Sequence, residues 1–262
     1  MTSNLNRFYQ FGDGIFTTLL RFNGRFPAYS AHYQRLVLGC HFLGIKSPFS
    51  SKEEFHDLLS REIKESTVIV KVIISATNHE RLYHRKNSDS SVLIETRPFD
   101  FPVSELQTNG ISLSISEIDY HPPFNEVSFL KLPHYQPWSV IRNHNPAGFD
   151  TIIRSEDEIL EATCGSVFLL NGNKVTINMG FSKVLHSITL LKFSDVLSEL
   201  GLVLDRRKIT VFNLLDSESL FYCNSVYGLL PVRDVTFGNQ KSSFSLNSAV
   251  CRTFWDVYTT RD

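Results

Sequence analysis

Apolar and polar positions follow one another along this chain in patterns that mark most of its elements. Residues 14–22 (GIFTTLLRF) are β-branched and apolar enough to read as a strand, and Asn23-Gly24 is a two-residue hairpin signal returning through Arg25-Phe26. In "AHYQRLVLGCHFLGI" the residues Tyr33, Leu36, Val37, Cys40 and Leu43 recur at helical spacing, with Ser30 as the expected N-cap. A second helix opens at Ser51, where Glu54 completes a capping box. "TVIVKVIISA" (67–76) and "SVLIETRPF" (91–99) read as strands joined by a polar stretch. Polar and turn-forming residues dominate 100–110, which places the expected domain boundary there, with units at 1–105 and 106–262. Strand patterning resumes in "ISLSISEI" (111–118), "DTIIRS", "ILEAT" and "SVFLLNGNKVTIN", the last with a hairpin at Asn171-Gly172. A helix over 186–201 ends at Gly201 as its C′ glycine, and a strand over 202–210 and a short helix follow. The strand "SLFYCN", a turn into "LLPVRDV" and a helix over 246–260 complete a mixed α+β pattern in two lobes.

Composition narrows the class without naming a function. The 262 residues are 42% apolar and 20% charged, as in ordinary globular domains. A net charge of −1 and a pI near 6.8 give no footprint for nucleic acid or an anionic membrane. No apolar run approaches the ~20 residues a membrane span requires, and Met1 to Arg7 lack the apolar stretch of a secretory signal. Cys40, Cys164, Cys223 and Cys251 are far apart with no C-x-x-C pair, which argues against structural zinc and a disulfide scaffold. A reducing, cytoplasmic setting is expected.

The nine histidines form no metal-ligand motif, and no nucleophile elbow or Walker loop is present. Gly12-Asp13-Gly14 leads into a strand rather than a helix, so it reads as a tight turn and not a dinucleotide fingerprint. Lys71 and Lys131 stand among apolar neighbours, where an ammonium is destabilised. That is the condition for an imine-forming lysine, although a strand lysine with its amine in water explains the same letters. Ser187, the N–H groups of Ile188 and Thr189, and the Thr189 hydroxyl suit either an anion at a helix N-terminus or an ordinary cap. Glu161 is either a solvent-facing strand residue or a buried acid with a cationic partner.

Six stretches in order resemble the fold-type IV pyridoxal-phosphate enzymes, which include D-amino-acid and branched-chain aminotransferases and 4-amino-4-deoxychorismate lyase. They are "FGDGIFTT", "SAHYQRL", "FLKLPHY", "EATCGSVFLL", "VLHSIT" and "FYCNSVYGLLPV", spanning roughly residues 7–235. The resemblance implies pyridoxal 5′-phosphate as cofactor, a two-lobed fold with the active site at the lobe interface, and a homodimer. It implies that Lys131 is the Schiff-base lysine, that Glu161 pairs with the pyridine nitrogen and that Tyr135 lies near the phenolic oxygen. Arg35, Ser187, Ile188, Thr189 and Ser225 would hold the phosphate; Thr17 and Arg81 would contact substrate; no metal is implied. Phe16-Thr17-Thr18, where many members have Phe-Glu-Thr, and "CNS" before "LLPV" look most like the lyases. The implied reaction converts 4-amino-4-deoxychorismate to 4-aminobenzoate and pyruvate in folate biosynthesis. A transaminase or a non-catalytic cofactor-binding homologue are the alternatives. The chain departs from the family pattern at Pro133 and His134, at Ser166 for asparagine, at Ser187 for glycine and at Leu190 for arginine.

Overall fold

The apolar, β-branched run after Asp13 extends as strand β1 (Gly14–Arg21) and turns at Asn23 and Gly24. Their φ angles of 49° and 81° are those of a type I′ hairpin, and Phe22 pairs with Arg25 across it. The computed structural model describes residues 8, 11–77, 88–122, 127–178 and 184–261.

Helix α1 (Tyr29–Phe42) starts from Ala28 in the left-handed conformation, with no side-chain cap. Ser30 is therefore inside the first turn and does not cap it, contrary to expectation. The helix ends before the expected Ile45, where Gly44 takes a φ of 62°. On α1, Gly39 faces Ile15 of β1, and a Cβ at Gly39 would lie 2.5 Å from the Ile15 side chain. This close seating buries Ile15, Leu19, Leu36 and Cys40.

Helix α2 (Lys52–Glu62) has the cap the sequence announces: Ser51 Oγ accepts from Glu54 N–H at 3.2 Å. The Glu54 carboxylate reaches back one residue further than a standard box, to the Ser50 N–H and hydroxyl. Strands β2 (Val68–Ala76) and β3 (Ser90–Pro98) complete an antiparallel sheet in the order β1-β2-β3. Alternation buries Val68, Val70 and Val72 and turns Lys71 to the other face.

Contacts group the described residues of Met1–Asp100 with Leu130–Tyr135 and Thr259–Asp262 as a first unit. Phe101–Phe129 and Gln136–Tyr258 form the second. The short segment that carries Lys131 thus belongs with the N-terminal strands, an interleaving that a single boundary in the sequence does not convey.

The second unit begins with α3 (Val103–Asn109), in the stretch read as a linker; Leu106 N–H bonds the Pro102 carbonyl and Gly110 stops the helix at φ 67°. Its strands are β4 (Ile111–Asp119), β5 (Asp150–Ser155), β6 (Glu158–Ala162), β7 (Ser166–Asn171) and β8 (Lys174–Asn178). They continue as β9 (Val203–Arg207), β10 (Ser219–Asn224), β11 (Gly228–Phe237) and β12 (Gln240–Ser243). The sheet runs β6-β5-β4-β11-β10-β7-β8-β9, with β12 beside β11. The β4–β5, β4–β11 and β8–β9 pairs are parallel, so the sheet is mixed.

Four helices join it: α4 (Gln136–His144), α5 (Ile188–Val196), α6 (Val211–Leu215) and α7 (Ser248–Thr260). Among the described residues, no helix is long and apolar enough to cross a membrane. Helix α4 has no counterpart among the expected elements; it buries only Ile141, too little apolar patterning to announce a helix. Helix α5 is shorter than expected, but Gly201 does terminate the turns after it: its φ is 66° and Leu202 N–H bonds the Leu197 carbonyl. The β7–β8 loop is Gly172-Asn173, one residue beyond the expected position. One face of the large sheet buries Leu113, Ile152, Leu169, Tyr222 and Leu230 in a continuous core.

Candidate active site

In the first unit, the segment bearing Lys131 is fastened along β1. The Phe16 N–H donates to the Lys131 carbonyl at 3.1 Å, and Leu130 is buried. Gly12, at φ 66°, makes room for the same segment: a Cβ there would lie 2.6 Å from the His134 ring. At Gly14 a Cβ would lie 2.4 Å from the Ile74 carbonyl of β2. Both glycines of Gly12-Asp13-Gly14 are thus required by close approaches, one of them to the lysine segment.

The half-buried Lys131 amine donates to the Tyr135 hydroxyl at 3.3 Å and lies 5.1 Å from the Phe16 ring centroid. Phe16 and Tyr135 meet edge to face at 5.5 Å. Lys71 Nζ also lies over Phe16, 4.7 Å from its centroid. A cation held against aromatic faces has a defined position at little hydrogen-bond cost, and its amine keeps lone-pair access once deprotonated.

Thr17, expected at the substrate, is fully buried, and its Oγ1 is 2.6 Å from His32 Nδ1. His32 lies one turn before Arg35 on α1. Burial, followed by the positive charges of Arg35 and Lys131, holds the His32 imidazole well below its ordinary pKa. The structure therefore brings Lys131, Tyr135, Thr17 and Arg35 into one neighbourhood, with His32 among them. Sequence reading missed His32, whose signal was only a polar letter on an apolar helix face.

In the second unit, Glu161 is half-buried on β6, opposite Ile153 of β5. Burial and then the Glu161 charge raise the pKa of Tyr120. The turn after Glu161 is locked by Asp150, a buried carboxylate that sequence reading also passed over. Asp150 accepts from Thr151 N–H at 2.7 Å, Cys164 N–H at 2.9 Å and the Thr163 hydroxyl. Gly165 packs on Tyr222, where a Cβ would come within 2.5 Å of the ring. Charge-assisted bonds to two backbone N–H groups fix the direction in which the chain leaves Glu161.

The start of α5 is a set of donors. Ser187 caps the helix by accepting from Leu190 N–H at 3.2 Å. Its Oγ lies 4.0 Å from Cys223 Sγ of β10, and burial pushes that thiol up to about 12, which leaves it unreactive. Thr189 is wholly buried, and its Oγ1 has no hydrogen-bond partner among the described residues. Two residues past Cys223, the half-buried Ser225 sits in a turn that Asn224 Oδ1 fixes by accepting from Val226 and Tyr227 N–H. Ser166, in place of the family asparagine, lies opposite Cys223 in the β7–β10 ladder.

An orphaned buried hydroxyl beside the first N–H groups of a helix is the arrangement that a phosphate satisfies. Taken unit by unit, these groups are of the kinds that pyridoxal 5′-phosphate uses: the first unit offers an amine that an aldehyde can take, and the second offers a carboxylate and a set of anion donors. Ser187 turns its side chain back onto the first turn of its own helix. Arg81 lies outside the described residues.

A family profile described as amino-transferase class IV matches residues 14–235. The aminodeoxychorismate lyase of Vibrio harveyi is 23% identical over 266 residues, covering 94% of this chain and 92% of that one. The D-alanine aminotransferase of Bacillus licheniformis is 22% identical over 233 residues, covering 88% and 81%. Among solved structures, a hypothetical aminotransferase from Mycobacterium tuberculosis in its PLP-bound form has a TM-score of 0.81 at 18% identity, covering 97% of this chain and 92% of that chain.

Proposed function

The chain belongs to the aminotransferase class IV family of fold-type IV, pyridoxal-phosphate-dependent enzymes, and on that premise we propose that it is an aminodeoxychorismate lyase. The observation that carries the reading is Phe16-Thr17-Thr18 in β1, the lyase-like threonine pair, one residue from the backbone bond that anchors Lys131. The near full-length similarity to the Vibrio harveyi lyase supports it.

Lys131 would hold the cofactor through its amine, give way to the substrate amine, and then take the proton from the amine-bearing carbon. Glu161 would keep the ring nitrogen protonated, with the Asp150-locked turn holding its strand in place. Arg35, Ser187, the Ile188 N–H, Thr189 and Ser225 would bind the phosphate, and Tyr135 would lie at the phenolic oxygen. Arg81 is carried as a substrate-carboxylate ligand. Bound there, pyridoxal phosphate supplies an electron sink for the carbanion. In the proposed elimination the ring would lose that proton to Lys131 and its enolpyruvyl oxygen as enolpyruvate, Lys131 would return a proton to give pyruvate, and the aromatic ring gained by 4-aminobenzoate would provide the driving force. A homodimer in the cytoplasm, serving folate biosynthesis, belongs to the same proposal.

The test is to supply 4-amino-4-deoxychorismate to the reconstituted enzyme with no keto acid. Equal amounts of 4-aminobenzoate and pyruvate are expected. Turnover that begins only with added 2-oxoglutarate would overturn the lyase reading in favour of a transaminase.

A further inference from the structure

The Thr17–His32 contact is unusual for what surrounds it. Both side chains are fully buried, the contact is short at 2.6 Å, and His32 Nε2 has no partner among the described residues. Leaving a buried ring nitrogen unpaired has a cost, so a plain packing role would favour an apolar residue at either position. The two residues also lie on the elements that carry two proposed cofactor anchors. Thr17 follows Phe16, whose N–H holds the Lys131 carbonyl, and His32 is three residues before Arg35 on α1. The missing side chain at Gly39 lets α1 approach Ile15 closely enough for the contact to form.

We propose that Thr17 and His32 are a positioning pair, which sets the Arg35 guanidinium at a fixed distance from the Lys131 amine. On this account Thr17 does not touch substrate; it ties the strand that seats the amine to the helix that presents the phosphate-binding cation. A cofactor is gripped at both its aldehyde and its phosphate, so the spacing of these two groups decides whether both grips form together. The neutral state of the imidazole, surrounded by Arg35 and Lys131, keeps a third positive charge out of this framework. The inference rests on the assignment of Lys131 and Arg35 as cofactor ligands and is independent of the lyase reading.

The experiment compares Thr17→Val, Thr17→Ser and His32→Gln with the parent protein, each titrated with pyridoxal 5′-phosphate and with pyridoxal, which lacks the phosphate. The pH midpoint of the visible absorption that Lys131 confers on the bound cofactor is followed in parallel. Thr17→Val is expected to weaken pyridoxal phosphate roughly tenfold, to affect pyridoxal far less, and to move the midpoint. Thr17→Ser, which keeps the hydroxyl, is expected to restore both. Unchanged affinity and midpoint in Thr17→Val would overturn the proposal, as would an equal loss of both ligands with a lowered melting temperature. Should Thr17→Val fail to fold, His32→Gln decides: selective loss of the phosphorylated ligand supports the pair, and parental behaviour refutes it. No arm depends on turnover, so a failed lyase assay leaves the outcome intact.

Discussion

At Gly12 a single missing side chain decides where the segment carrying Lys131 sits. Alanine there would set its Cβ 2.6 Å from the His134 ring, at a φ of 66° that L residues rarely adopt. Gly12→Ala should lower stability by about 1–3 kcal/mol in urea unfolding and displace the Lys131 segment, which would show as weaker cofactor retention. His32 makes a second prediction at this scale. Its folded pKa is depressed, so below about pH 6.5 the unfolded chain takes up a proton that the folded chain refuses. Stability should therefore fall as pH drops below that value and be insensitive to this group above it; His32→Asn should remove that part of the decline. Lys131, Glu161 and Thr189 stood out as candidates in the sequence because they sit inside recognisable local motifs. His32 and Asp150 did not, because what makes them important is a partner 15 residues away for one and 13 for the other.

Among the elements, the strands were the most readable, since β1, β2 and β10 alternate or run apolar between clear turn signals. The Ser51 cap was readable for a similar reason: a capping box is a local pattern. Helix α1 was read correctly over most of its length but given the wrong start, because Ala28 in a left-handed conformation is no sequence signal at all. Helices α3 and α4 were missed: they have seven and nine residues, each contains or follows a proline, and little apolar periodicity fits into two turns. Helix α1 also allows a test of element packing. Gly39→Ala would drive a Cβ to 2.5 Å from Ile15, so the helix must shift off β1. A loss of about 1–3 kcal/mol is expected, with the cofactor affinity falling in step, since the Thr17–His32 contact depends on that approach. An alanine variant with parental stability would contradict the packing described for α1.

For the whole molecule, the order of six weak motifs was more informative than any one of them, and the family profile over residues 14–235 agrees with it. The assignment of Leu130–Tyr135 to the N-terminal unit was not legible, because it depends on the Phe16–Lys131 backbone bond and the His134–Gly12 contact. That placement also sets two lysines, Lys71 and Lys131, against the same Phe16 ring at 4.7 and 5.1 Å. Every functional assignment above depends on Lys131 being the one that holds the cofactor. Borohydride reduction of the protein loaded with pyridoxal 5′-phosphate fixes the cofactor to whichever lysine carries it, and peptide mass mapping locates it. The added mass is expected on the peptide containing Lys131 and should be absent in Lys131→Ala; the mass on the peptide containing Lys71 would contradict the assignment.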